Sequence, residues 1–441
     1  MRHCRVDPLP FDAMRAPRLA CLSLPKTGSM TVSTVTLPPR VAIVVPAFGH
    51  GGGVPGVAKF LRDVLLRSGR YRCEIISLCT SWREGHNVRL SAPTTWRRGP
   101  GVVTKHVDGI HYQEVGSVVS EIEVRRYYPR QVLTELLDSF DLVQIVAGSP
   151  AQAHVVRDVT VPVFLQVATL VEWERRALLS KWSLRGFWDR LMTRAMARMD
   201  ETGARFARTV FVENVLMHAH LGRALERGRV VFTPPGIDTQ VFTPGGNPGE
   251  YILSVGRFDD PRKNVRLLFD AYRRLRDRMR QAPRLVLAGH AGPPSEELKY
   301  ARALGIDSFV DIRVGLTQRE LADLYRAARV FVLTSHEEGL GLAILEAMAS
   351  ALPVVSTRCG GPETSVVHGE TGWLVEPGDA DGIAEALHRL LRDEPARRTF
   401  GSAARARAVS EFSIEAAGRR FLAHYDAALL GAPIGSAVAT A

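Results

Sequence analysis

The sequence predicts an α/β protein made of two doubly wound, Rossmann-like parallel-sheet domains that face a shared cleft. Three observations carry this. The chain has 441 residues, too many for one ordinary hydrophobic core. Short runs of β-branched and apolar residues alternate with amphipathic stretches along most of its length. From Asp238 to Glu250 this alternation gives way to a turn-rich stretch, Thr243-Pro-Gly-Gly-Asn-Pro-Gly249, which reads as a linker.

The elements follow in order. Residues 1–38 mix Pro, Thr and Ser without periodicity and are expected to be a disordered extension, with no run of signal-peptide character. Arg40 to Pro46 is the first convincing strand, its apolar run spanning Val41–Val45. Gly49-His-Gly-Gly-Gly53 follows, and then a helical pattern from Val54 to Leu66. A glycine loop between strand and helix lets backbone approach a phosphate or a sugar. It is not the spaced dinucleotide fingerprint and it lacks the P-loop lysine, so neither an NAD nor an ATP site is supported. Further first-half strands are expected at Glu74–Leu78, Leu142–Ala147, Val163–Val167 and Val210–Glu213. Those of the second half are Ile252–Val255, Leu285–Ala288, Val310–Val314, Val330–Thr334 and Pro353–Ser356. A last helical run covers Ile414 to Leu430, and the small residues from Gly431 on read as a flexible tail.

The richest stretch is Ser335 to Ala349. Here the strand Val330-Phe-Val-Leu-Thr334 leads through a Gly-Leu-Gly turn into helical spacing, with Glu338 and Glu346 eight positions apart. Free amides at such a helix start attract anions, above all phosphate. Glu338 stands at the mouth and Glu346 about two turns into the helix. A carboxylate there suits paired sugar hydroxyls, because it accepts from two donors at once.

Around it lie Tyr251-Ile-Leu-Ser-Val-Gly-Arg-Phe258, Lys263-Asn264, Pro235-Gly-Ile-Asp238, Gly360-Gly-Pro-Glu363 and Gly369-Glu-Thr-Gly-Trp-Leu-Val-Glu-Pro377. Together these resemble the retaining nucleotide-sugar glycosyltransferases of the GT-B fold, family 4 (glycosyl transferases group 1), from about Arg40 to about Phe421. The resemblance implies a domain 39–245 on the acceptor side, a nucleotide-sugar domain 246–412 and a helix 413–430 crossing back to the first domain, with 431–441 as a tail. It implies that Arg257 and Lys263 hold the donor diphosphate, Lys263 being one of only six lysines in the chain. Glu346 would bind the ribose, and Glu338 would lie near the donor sugar. The amides of Gly339, Leu340, Gly341 and Leu342 would face phosphate and sugar. Gly52 and Gly53 would approach the donor, and backbone around Arg313 and Val314 would touch the base. A histidine often ends the strand Val161 to Leu170 in the family; here that place is Ala168, which leaves sugar specificity open. His50, Glu172 and Glu174 could occupy nearby space, with His50 and Glu172 as acceptor-side candidates.

The implied reaction moves a sugar from a UDP- or GDP-type donor to an acceptor hydroxyl with retention, without a divalent metal or other cofactor. The sequence has no Asp-x-Asp pair where a metal-diphosphate site would sit. The alternatives are a nucleotide-sugar epimerase of the same fold and a nucleotide-sugar-binding protein without turnover. The acceptor could be a glycan, a lipid or a small metabolite.

The formal charge of +11 raises nucleic acid as a partner, but no recognition module or aromatic-basic interleaving accompanies it, so none is expected. Lys181 to Met199 is basic and amphipathic, with Leu184, Phe187, Trp188, Leu191, Met192 and Ala195 at helical spacing. Such a helix either buries its apolar face in the core or lies on an anionic bilayer. The five cysteines show no metal or redox spacing, and no run approaches a membrane span. A cytoplasmic protein is expected, with peripheral contact to the inner membrane face as a second possibility.

Overall fold

The computed structural model describes residues 37–49, 52–176, 184–246 and 250–435. Nearly all of the expected extension 1–38, and the end of the expected tail, lie outside the described residues.

Two parallel sheets organise the chain. The first comprises β1 (Arg40–Pro46), β2 (Arg72–Leu78), β3 (Val102–Val107), β4 (Ile110–Val115), β5 (Leu142–Ala147), β6 (Val163–Val167), β7 (Thr209–Val212) and β8 (Val230–Phe232), in the order β3-β4-β2-β1-β5-β6-β7-β8. The second comprises β9 (Tyr251–Val255), β10 (Arg284–Gly289), β11 (Val310–Val314), β12 (Ala328–Leu333), β13 (Val354–Thr357) and β14 (Gly372–Val375), in the order β11-β10-β9-β12-β13-β14. Helices cover both faces of each sheet, which is why β5, read Leu-Val-Gln-Ile-Val-Ala, is buried at every position. Separate apolar clusters fill the two faces of each sheet.

Four strands escape the sequence reading. β3 and β4 form an antiparallel edge hairpin in which polar residues interrupt the apolar ones, so no apolar run marks them. Their turn is Asp108-Gly109, both at positive φ (49° and 74°), the dipeptide that a two-residue hairpin favours. β8 and β14 are short, three and four residues, and take their place from pairing with β7 and β13.

In each sheet the order reverses at the first strand: β1 lies between β2 and β5, and β9 between β10 and β12. A crevice opens at the carboxyl ends of strands at such a point. The helix Ile414–Leu429 packs on the first sheet. Phe421 meets Phe60 and Phe211, and the Tyr425 hydroxyl donates to Gln144 Oε1 at 2.6 Å. Gly418 is required there, because a Cβ would lie 2.7 Å from Val64 Cγ2.

The basic segment forms the helix Leu184–Gly203; residues 181–183 lie outside the described residues. Its two halves behave differently. Met196 and Met199 are buried, whereas Phe187 and Trp188 are 65% and 50% exposed. Asp200 near its end accepts the Ala151 and Val171 amides, both at 2.8 Å, and so pins the helix to the first domain. Among the described residues no helix is long and apolar enough to cross a membrane.

Candidate active site in the cleft

A cavity of about 570 Å³ lies where the two sheets face each other. Its wall includes Pro46, Ala147, Ala168 and Glu213 at or just past the ends of β1, β5, β6 and β7. Opposite stand Val255, Gly289, Gly315 and Leu333, from the ends of β9, β10, β11 and β12. Both topological switch points therefore open onto one space.

The turn after β12 is built as the sequence suggests. Gly341 has φ 79°, a left-handed conformation that a side chain would strain, and no side chain caps the helix Leu342–Ala349 that follows. Gly339, Leu340, Gly341 and Leu342 all line the cavity. Gly339 has a further reason to lack a side chain: a Cβ there would lie 2.8 Å from Ala168 Cβ and 3.2 Å from Glu213 Oε2, both in the first domain.

Arg257, Lys263, Glu338 and Glu346 reach the same cavity. Lys263 Nζ is ion-paired with Glu338 Oε1, which also accepts the Ser335 hydroxyl at 2.6 Å. Arg257 pairs with Asp260 at 3.0 Å and remains 46% exposed. Glu346 accepts the Tyr325 hydroxyl at 2.8 Å, and burial pushes its carboxyl up to about 7. Gly52 and Gly53 line the cavity from the first domain, where the helix Gly53–Ser68 begins. Gly52 has φ 131°, and a Cβ on it would lie 3.8 Å from Arg257 Nε, so backbone and guanidinium face each other across the cleft.

Other expected residues fall elsewhere. Arg313 and Val314 end β11, an edge strand with exposed side chains, and it is Gly315 and Leu316 after them that line the cavity. Glu172 is exposed on the short helix Val171–Arg175 and does not line it, whereas Glu174, on the same helix, does. His50 lies outside the described residues.

Several residues in or beside the wall were not singled out by the sequence reading; Arg262 and Glu213 line the cavity, and Asn214 stands next to it. Arg262, next to Lys263, pairs with Asp260 at 2.7 Å, Glu337 at 3.2 Å and, across the cleft, Glu174 at 3.0 Å. Burial opposes its charge, yet these carboxylates hold its pKa above the ordinary value. Asn214 caps the helix Val215–Ala224 by accepting from Met217 N at 2.9 Å. Its amide donates to Ala168 O at 3.2 Å and to Gly339 O of the second domain at 2.8 Å. Glu213 is 5% exposed; burial, with the charge of Glu337 adding, pushes its carboxyl up to about 7 against a hydrogen bond from Gln166. The available signal was slight: a charged residue directly after the apolar run Thr209–Val212.

Away from the cavity, Cys79, His86 and Glu114 are the one set of three potential metal ligands brought together among the described residues. The Lys105 ammonium already donates to both Glu114 oxygens, at 2.8 and 3.1 Å, supplying there the positive charge that a metal ion would bring.

Comparison with known proteins places this geometry. The family described as glycosyl transferases group 1 matches residues 243–407. Among curated relatives, an MMP alpha-(1->4)-mannosyltransferase of Mycolicibacterium hassiacum is 36% identical over 198 residues, covering 44% of this chain and 48% of its own. The chain spans about half the length of the curated relatives it matches. Over the whole fold, sucrose-phosphate synthase from Thermosynechococcus elongatus superposes with a TM-score of 0.68 at 20% identity, covering 89% of this chain and all of that one. Anabaena HepE in complex with UDP-glucose does so with a TM-score of 0.64 at 16% identity, covering 88% and 100%. These distant structures share the architecture, two parallel-sheet domains about a cleft, and the sequence match falls on the domain that carries Arg257, Lys263 and the Glu338 turn. Residues 243–407 thus resemble the group 1 glycosyltransferases, and the described chain as a whole has the GT-B fold.

Proposed function

We propose that this protein is a retaining glycosyltransferase that moves a sugar from a UDP- or GDP-type donor to an acceptor hydroxyl without a divalent metal. The observation that carries this reading is the convergence of Arg257, Lys263 and the uncapped start of the helix Leu342–Ala349 on one cavity. Two cations and free amides stabilise a diphosphate as it leaves. Lys263 pairs with Glu338 and would turn to the diphosphate on binding. That exchange frees Glu338 to accept sugar hydroxyls, so one carboxylate holds the lysine in place before binding and meets the sugar after it. Glu346, poised beside Tyr325, suits the two ribose hydroxyls. The departing phosphate then takes up the proton of the acceptor hydroxyl on the same face, through an oxocarbenium-like state, and the protein contributes position and charge.

UDP-glucose in the structurally similar HepE supports a nucleotide-sugar donor here. On the acceptor side, the exposed Phe187, Trp188 and Leu191 beside Arg194 and Arg198 favour contact of the first domain with an anionic lipid surface. The test is a thermal-shift panel of nucleotides and nucleotide sugars, in which the true donor stabilises the fold by mass action. Incubation of the selected donor with candidate acceptors follows. Conversion of donor alone into an isomer would point to an epimerase instead, and binding without turnover in every acceptor mixture to a nucleotide-sugar-binding protein. No shift by any nucleotide overturns the reading.

A further inference from the structure

The carboxylates on the cavity wall differ in one respect. Glu174 and Glu337 pair with Arg262, Glu338 with Lys263, and Glu346 accepts the Tyr325 hydroxyl. Among the described residues neither Glu346 nor Glu213 has a cation, and Glu213 lacks a hydroxyl donor as well. Its Oε1 accepts a weak bond from Gln166 Nε2 at 3.2 Å, and no described donor reaches Oε2. Gln166 Oε1 alongside is likewise buried without a donor. On the floor of the cleft, beside Ala168 and Gly339, Glu213 Oε2 and Gln166 Oε1 are therefore acceptors that no described donor reaches. A buried carboxylate in that state is costly to the fold, and such costs concentrate where a ligand supplies the missing partner.

Position says which part of a ligand that is. Glu213 Oε2 lies 3.2 Å from where a Cβ of Gly339 would be, and Gly339 follows Glu338 directly. Glu346, the ribose candidate, lies about one turn into the helix Leu342–Ala349 rather than the two expected from the sequence. Resting on the donor-site reading above, we propose that Glu213 is a specificity-determining residue: its free oxygen accepts a hydroxyl of the transferred sugar, and its charge turns away acidic sugars. A neutral hexose brings hydroxyl donors that these two acceptors lack. A uronate would place a third carboxylate beside Glu213 and Glu337, and like charges in a poorly solvated cleft repel.

The experiment compares wild type with Glu213→Gln and Glu213→Asp, by thermal shift and titration at pH 8, where the Glu213 carboxyl is ionised. The probes are UDP, UDP-glucose and UDP-glucuronate, and in parallel GDP, GDP-mannose and GDP-mannuronate. For the series that binds, the wild type is expected to hold the neutral sugar nucleotide more tightly than the bare diphosphate and to bind the uronate no better than the diphosphate. Glu213→Gln, nearly the same shape, keeps the diphosphate affinity, weakens the neutral sugar about tenfold and accepts the uronate. Glu213→Asp, with the charge withdrawn by one methylene, weakens the neutral sugar while still refusing the uronate. Unchanged ranking and affinities in Gln and Asp variants overturn the proposal while leaving the donor site standing. Failure of every nucleotide to bind wild type removes both.

Discussion

The side-chain amide of Asn214, in the first domain, donates to the main-chain carbonyl of Gly339, in the second, at 2.8 Å. The same side chain caps its own helix, so one residue ties the closed cleft to a rigid element. Asn214→Ser keeps a capping oxygen but is too short to bridge. We expect it to lose little thermal stability, whereas Asn214→Ala also loses the cap and about 1 kcal/mol. Both should weaken donor binding, read as a higher KM, because the closed arrangement is no longer held. An unchanged KM in Asn214→Ser would show that the bridge plays no part in closure.

Lys263→Ala removes the cation that neutralises Glu338 and, on the proposed mechanism, the leaving diphosphate. Turnover of the donor should fall by about a hundred- to a thousandfold, the range seen when one charge-stabilising donor is lost. Steady-state kinetics with the donor found in the nucleotide panel measures it. Activity near normal would contradict the assignment of the diphosphate site.

Gly339→Ala tests the tightness of the domain contact. The added Cβ would meet Ala168 Cβ at 2.8 Å, backbone-attached on both sides, so the domains must part. The variant is expected to fold, since each domain keeps its own core, but to show a larger radius of gyration in solution scattering and to lose donor affinity. A compact variant with normal affinity would argue that the cleft relaxes locally.

Two buried carboxyls make stability depend on pH. Glu213 and Glu346 both titrate near 7 in the folded protein against an ordinary value of 4.5. The folded state thus holds more protons than the unfolded one between these values. The stabilising contribution is complete below about pH 4.5 and is lost as pH rises through 7. Denaturant unfolding between pH 5 and 8 should show this downward contribution. Glu213→Gln removes its share, worth up to about 3 kcal/mol at pH 8, and leaves that of Glu346. An identical pH dependence in wild type and variant would refute the burial argument for Glu213.

Replacing Phe187 and Trp188 with serine removes exposed apolar area without touching Met196 and Met199, which anchor the helix. The double variant should keep its melting temperature and lose co-sedimentation with vesicles containing anionic lipid. Binding that depends on neither the lipid charge nor these residues would dismiss a membrane-facing role.

Much of this molecule was legible in its residues. β1, β2, β5 through β7, β9, β10, β12 and β13 were found from apolar, β-branched runs, because a strand covered on both faces has few polar positions to disguise it, and the edge strand β11 was found from Val310, Ile312 and Val314. The Gly-Leu-Gly turn was recognisable because a left-handed residue at 341 demands glycine. Glu338 and Glu346 were singled out by their spacing around a glycine turn, and Arg257 and Lys263 by the family resemblance; all four line the one cavity. The edge hairpin β3–β4 was not legible, since edge strands need no apolar face. Tertiary structure alone decided the rest. Glu174 was only one of several nearby candidates, and Glu172, two residues before it, faces solvent; which of them meets Arg262 depends on the angle at which a short helix enters the cleft. Glu213 and Asn214 acquire meaning only against Gly339, 126 and 125 positions away. Local pattern determines which element forms, whereas partnership across a cleft is fixed by how two separately folded sheets come to face each other.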